Sequence, residues 1–161
     1  MRLISCALAS ALLLTACSAN PGQAASGSST AAAAVHPVSG LKVVPLTVTH
    51  MGKAHTFRVE VAGTEEEQAK GLMFRTEMGA DEGMIFPMDP PRGASFWMRN
   101  TVISLDIIFV GTDGRISNIA ANAIPYNELP LPSVGLVKGV LELGGGRAAQ
   151  LGIVAGDKVA W

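Results

Sequence analysis

The chain has 161 residues, 48% of them hydrophobic and 16% charged, with a formal net charge of −1. That balance excludes a basic nucleic-acid-binding face and electrostatic attraction to an anionic surface as organising features. Both cysteines, Cys6 and Cys17, fall in the opening segment, so the rest of the chain has no disulfide, no cysteine nucleophile and no cysteine-based zinc site.

Arg2, the apolar run LISCALASALLL and the small residues Thr15 and Ala16 have the layout of a secretory signal peptide over residues 1–16, too short for a membrane span. The tetrapeptide LTAC resembles the bacterial lipobox, which implies that Cys17 becomes a lipid-modified first residue anchored in a membrane by several acyl chains. Ser18 stands where an inner-membrane retention signal often places Asp, so the expected address is the outer membrane, facing the periplasm. Residues 17–40 read as the lipidated cysteine and a flexible Ala/Ser/Gly tether, spanning roughly 25 to 30 Å by random-coil scaling. The remaining residues, 41–161, suffice for one domain with a real core.

Within that domain, LKVVPLTVTH and the alternating AHTFRVEVA flank the turn-like MGK and predict a β-hairpin. Thr64 followed by Glu65, Glu66 and Glu67 forms a capping-box start for a short helix ending near Gly71 or running into LMFR. GMIFPM, ASFWMR and LDIIFV follow as strands, GTDG as a turn and RISNIAA as a returning strand. IPYNELPLPSVGLVKG, with three prolines and no period, reads as a long loop. VLEL and DKVAW close the chain as strands around GGGRAAQLGI, one or two helical turns. Many short strands without strand-helix alternation predict a mainly β fold: a compact, mostly antiparallel sandwich or barrel with one or two short helices.

Polar residues inside two apolar strands mark the candidate site. Strand alternation puts Phe96 and Met98 on one face and Trp97, Arg99 and Thr101 on the other, and it sets Asp106 among apolar neighbours. A carboxylate there needs a donor, and Arg99 and Arg75 are the nearest candidates. Either Arg99 and Asp106 form a buried lock between strands, or Trp97, Arg99, Asn100 and Asp106 line a pocket for a small ligand. For acid-base chemistry the candidates are Asp106 and Glu142, and no spacing says that they meet. Met73, Met78, Met84, Met88 and Met98, with His50 or His55, would suit soft copper, although Met84, Phe86 and Met88 alternate as a core face does. GGGRAA fits a loose dinucleotide-loop pattern without the second strand that such a site requires, and no G-x-S-x-G, H-E-x-x-H or Walker motif is present. No cofactor and no dedicated metal site is therefore expected.

The ordered motifs GLMFR, GMIF, SFWMRNT, LDIIF and VLEL, followed by a glycine-rich turn and GD, resemble those of a widespread prokaryotic family, Domain of Unknown Function 192, over roughly Val43 to Trp161. The resemblance implies a jelly-roll-like β fold with a short helix, often exported, and no established reaction. It places the family's polar motif residues on Arg75, Trp97, Arg99, Asn100, Thr101, Asp106, Glu142 and Asp157, with no departure in this sequence. The family pattern commonly allows Lys at the position of Arg99, which favours a point-charge partner over a bidentate fork. The leading expectation is a non-enzymatic envelope lipoprotein that binds a small molecule or an envelope protein through Arg75, Trp97, Arg99, Asn100, Thr101 and Asp106. One alternative is a carboxylate-dependent hydrolase or transferase acting on an envelope glycan or related substrate. The other is copper binding through methionine and histidine.

Overall fold

The computed structural model describes residues 34–161, so the signal peptide, the Cys17 lipidation site and most of the tether lie outside the described residues. Nine strands and two short helices follow in chain order: β1 (Val43–His50), β2 (Lys53–Val61), α1 (Glu65–Lys70), β3 (Glu82–Arg92), β4 (Ser95–Phe96), β5 (Leu105–Gly111), β6 (Ile116–Ala123), β7 (Leu131–Pro132), β8 (Val137–Gly144), α2 (Arg147–Leu151) and β9 (Lys158–Ala160). The fold is mainly β, as the sequence predicts.

Met51 and Gly52 both take positive φ, the conformation of a tight two-residue hairpin loop, and they set the β1–β2 register with His50 opposite Lys53. Thr64 and Glu67 complete the capping box: the Thr64 hydroxyl accepts from the Glu67 amide, and the Glu67 carboxylate accepts from the Thr64 amide at 2.8 Å. That carboxylate is held below its usual pKa by hydrogen bonds from the Thr64 and Gly63 amides. Because α1 and a long loop separate β2 from β3, β3 returns parallel to β2; every other pairing among the described strands is antiparallel, so the sheet is mixed but mostly antiparallel, as the sequence pattern predicts.

Seven strands form one sheet in the order β6-β5-β8-β3-β2-β1-β9, and β4 and β7 pair separately. The large sheet curls until its edges meet at a single bridge, Arg115 to Lys158, without closing a barrel. Beside that seam the Asn118 side chain donates to the Pro132 carbonyl at 3.1 Å and accepts from the Val134 amide at 2.8 Å, tying the proline-rich loop along β6. Both faces of the central strands are covered, which explains why LDIIFV is apolar at every position but Asp106 and buried along its length. The inner face gathers Leu46, Val48, Phe57, Val59, Ile108, Val110 and Leu141 with Ala148 of α2. The outer face gathers Met84, Phe86, Met88, Met98, Leu105, Ile107, Phe109 and Val140 with Leu72.

Residues 34–40, read as part of the tether, make contacts with the domain. Val35 bridges Lys42, the Val43 amide donates to the Ala34 carbonyl at 2.7 Å, and the His36 ring lies 3.7 Å from the Glu60 carboxylate.

Candidate functional site

A cleft of about 340 Å³ opens on the outer face of the sheet, between α1 with the turn after it, the end of β3, β4 and the Trp97–Thr101 loop. Glu142 stands at its floor. This residue sits on the central strand β8 between Met84 of β3 and Ile107 of β5, and it is 5% exposed. A Cβ on Gly83 would run into the Glu142 carbonyl, so glycine there permits the close approach of β3 to β8. Burial alone pushes the Glu142 carboxyl up to about 8, with no hydrogen-bonding group contributing. At neutral pH it is therefore a protonated acid, able both to donate and to accept one hydrogen bond.

Above Glu142 the walls are apolar, formed by Leu72, Phe86, Met88 and Phe96. Phe96 contacts Phe86 edge-on with ring centroids 5.0 Å apart, which fixes β4 over the outer core. The rim is cationic, with Lys70, Arg92 and Arg99. Arg92 donates to the Gln68 side-chain oxygen at 3.1 Å, and Gln68 in turn donates to the Pro87 carbonyl at 2.9 Å.

Strand alternation holds for Phe96 and Met98, which share the outer core, and for Trp97 and Arg99, which point outward. It breaks at Asn100, whose φ of 54° turns the chain so that Thr101 is buried in place of continuing outward. The Arg99 guanidinium lies 4.1 Å from the Trp97 ring and donates twice to one Glu128 oxygen, at 3.1 and 2.7 Å. The hydrogen bond from Arg99 lowers the pKa of Glu128, and the same bond raises that of Arg99. Glu128 sits in the proline-rich loop, where no sequence signal singled it out. The expected Arg99–Asp106 lock is thus replaced by an exposed Arg99–Glu128 pair.

Asp106 is fully buried and satisfied by backbone. One oxygen accepts from the amides of Asn122 at 2.8 Å and Gly146 at 3.0 Å, the other from the Ala148 amide at 2.8 Å. Asn122 lies in an irregularity of the β5–β6 pairing and has a φ of 50°, while Gly146 caps α2. Asp106 therefore pins the end of β6 and the start of α2 to β5, and it is a lock without an arginine. It shares the inner side of the sheet with Ile108 and Val110, whereas Glu142 lines the outer side with Ile107 and Met84 across from it. The two candidate catalytic carboxylates therefore do not meet.

Of the expected ligand-binding residues, Trp97, Arg99 and Thr101 line the cleft, and Glu142 joins them. Asn100 does not line it: its side chain donates to the Met73 sulfur at 3.7 Å and its carbonyl accepts from the Phe74 amide. Arg75 is taken by a two-pronged pair with the buried Glu60, at 2.9 and 3.0 Å, and lines a separate hollow of about 730 Å³ beside Phe74. Asp157 accepts from the Val154 amide and pairs with His50 at 3.0 Å. His50 and His55 follow the inner-face alternation of Val48 and Phe57, while Met84, Met88 and Met98 belong to the outer core, so the sheet stands between the two halves of the expected copper set. Lys70 and Arg92 escaped sequence reasoning because an exposed cation looks the same whether or not a cleft opens beside it.

The sequence profile of Domain of Unknown Function 192, described as Uncharacterized ACR, matches residues 46–161. Among solved structures, a protein of unknown function from Novosphingobium aromaticivorans is 65% identical, with a TM-score of 0.79, over 82% of this chain and 94% of its own. A Sinorhizobium meliloti protein described as a candidate transcription regulator is 35% identical, with a TM-score of 0.72, over 74% of this chain and 94% of its own. No curated protein matches the chain at a significant level.

Proposed function

The chain belongs to the Domain of Unknown Function 192 family, whose description names no reaction; from its opening segment we propose that it is an exported lipoprotein, and from the cleft that its β domain binds a small ligand without transforming it. The observation that carries this reading is Glu142, a buried acid with no hydrogen-bonding partner contributing to its state, set at the floor of an open cleft. No protein hydrogen bond contributes to the state of the Glu142 carboxyl, and it opens onto the cleft, so a ligand oxygen at the floor would take the place of water there. Apolar side chains from Leu72, Phe86, Met88 and Phe96 interleaved with polar groups that can orient a ligand are the common make-up of a small-molecule site.

A protonated glutamate near neutral pH also suits a general acid, which is what favours the hydrolase or transferase reading. Against it, Glu142 is the one carboxylate among the described residues lining the cleft, so a second acid or base would have to come from the substrate or from water.

Native mass spectrometry of the protein purified from its envelope, before and after denaturation, tests the binding reading. An organic mass retained by the wild type and lost in Glu142→Ala is the expected result. A bare wild-type mass overturns it. Export is tested separately by metabolic labelling with a palmitate analogue: label on the wild type and none on Cys17→Ala is expected, and label surviving the substitution would refute lipidation at that residue.

A further inference from the structure

We infer that the cleft selects an amphiphilic anion: an anionic head at the mouth, an apolar body, and a hydroxyl or carbonyl oxygen at the inner end. This deepens the small-ligand reading and rests on it. Three layers of chemistry succeed one another with depth. At the mouth stand Lys70 and Arg92, both exposed. The guanidinium of Arg92 is oriented by a neutral acceptor, Gln68, so its charge is not cancelled there, whereas that of Arg99 is matched by Glu128. The rim therefore carries a net positive charge, and it attracts an anion from solution and holds it where water can share its solvation. Below the rim, Leu72, Phe86 and Phe96 offer contact to a hydrocarbon or ring. At the floor Glu142 is 5% exposed, and a second charge beside it would be largely desolvated, so the group that meets it is a neutral oxygen. A fatty or aryl hydroxy acid satisfies all three layers, whereas a cation meets repulsion at the mouth and a pure hydrocarbon leaves both polar ends unmet.

The test uses residues 31–161, one compact unit of the fold. A domain of this extent crystallises on its own, since nearly all of the Novosphingobium chain is matched by 82% of this one. Three probes of equal chain length, 8-hydroxyoctanoate, octanoate and 1,8-octanediol, are titrated at pH 7 by calorimetry and by amide chemical shifts. The expected order is 8-hydroxyoctanoate tightest, octanoate weaker by about threefold or more, and the diol weaker by about tenfold or more. The shifts should cluster at Gly71, Phe96 and Glu142. Lys70→Gln with Arg92→Gln, both exposed and harmless to folding, should bring 8-hydroxyoctanoate down to the diol. Equal binding of the diol and 8-hydroxyoctanoate by the wild type overturns the anionic head while the cleft reading stands. Equal binding of octanoate and 8-hydroxyoctanoate overturns the inner oxygen. Absence of shifts with all three overturns the inference, and the cleft reading is then decided by the native mass measurement.

Discussion

Glu142→Gln is expected to leave stability at pH 5 almost unchanged and to raise it at pH 9 by several kcal/mol, as read from urea unfolding at the two pH values. In the unfolded chain this carboxyl ionises near 4.5, and in the folded protein near 8. Between those values the folded state holds a proton that the unfolded state has released, so folding becomes less favourable as pH rises from about 4.5 and levels off above about 8. At 1.36 kcal/mol per unit, the total loss is roughly 5 kcal/mol. Glutamine keeps the shape and the hydrogen-bonding capacity of the protonated acid and cannot ionise, so its curve lacks that fall. Parallel curves for wild type and variant would show that Glu142 is ionised in the folded protein, and the binding proposal would lose its foundation. Ligand binding should follow the same titration, weakening above pH 8 in the wild type.

Asp106→Asn should destabilise the fold by about 3 kcal/mol, because hydrogen bonds to a charged acceptor contribute more than neutral ones and the new amide group confronts amide donors. Asparagine has one acceptor oxygen for the three amides of Asn122, Gly146 and Ala148, and its own N–H groups face one or more of them. Amide exchange should accelerate at α2 and the end of β6, the two places that this carboxylate holds to β5. The folded fraction should bind probe as the wild type does, since the cleft lies on the opposite side of the sheet. A variant of unchanged stability with abolished binding would reverse the assignment and make Asp106 a site residue.

These two carboxylates show how far the sequence could be read. Each announces itself as an acid within an apolar strand, and that much follows from LDIIFV and VLEL alone. Which side of a doubly covered sheet each one faces does not follow, because alternation is invisible where both faces are apolar. Their partners are less legible still: Asp106 is satisfied by main-chain amides, and any residue type presents one. The pairing of Arg99 with Glu128 depends on how a proline-rich loop with no period folds back over the Trp97 turn. The hairpin, the capping box and the closing strand were readable because each is set by neighbours in sequence. The parallel β2–β3 pair was not, since it depends on where α1 and its loop deliver the chain.

The meeting of the first and last strands of the sheet bears on how the molecule behaves when crowded. An open sheet of seven strands would present two rows of unpaired amides and carbonyls, each a template for a strand from a neighbouring copy. Here one end of those rows is spent on the seam, where the Ile116 amide donates to the Asp157 carbonyl at 2.9 Å and the Val159 amide to the Gly114 carbonyl at 2.8 Å. Further along β6, the Asn118 side chain bonds to Pro132 and Val134, and the prolines of that loop can offer no donor to a passing strand. The loop that carries Glu128 to Arg99 thus covers part of β6, where a strand from a second copy would otherwise pair.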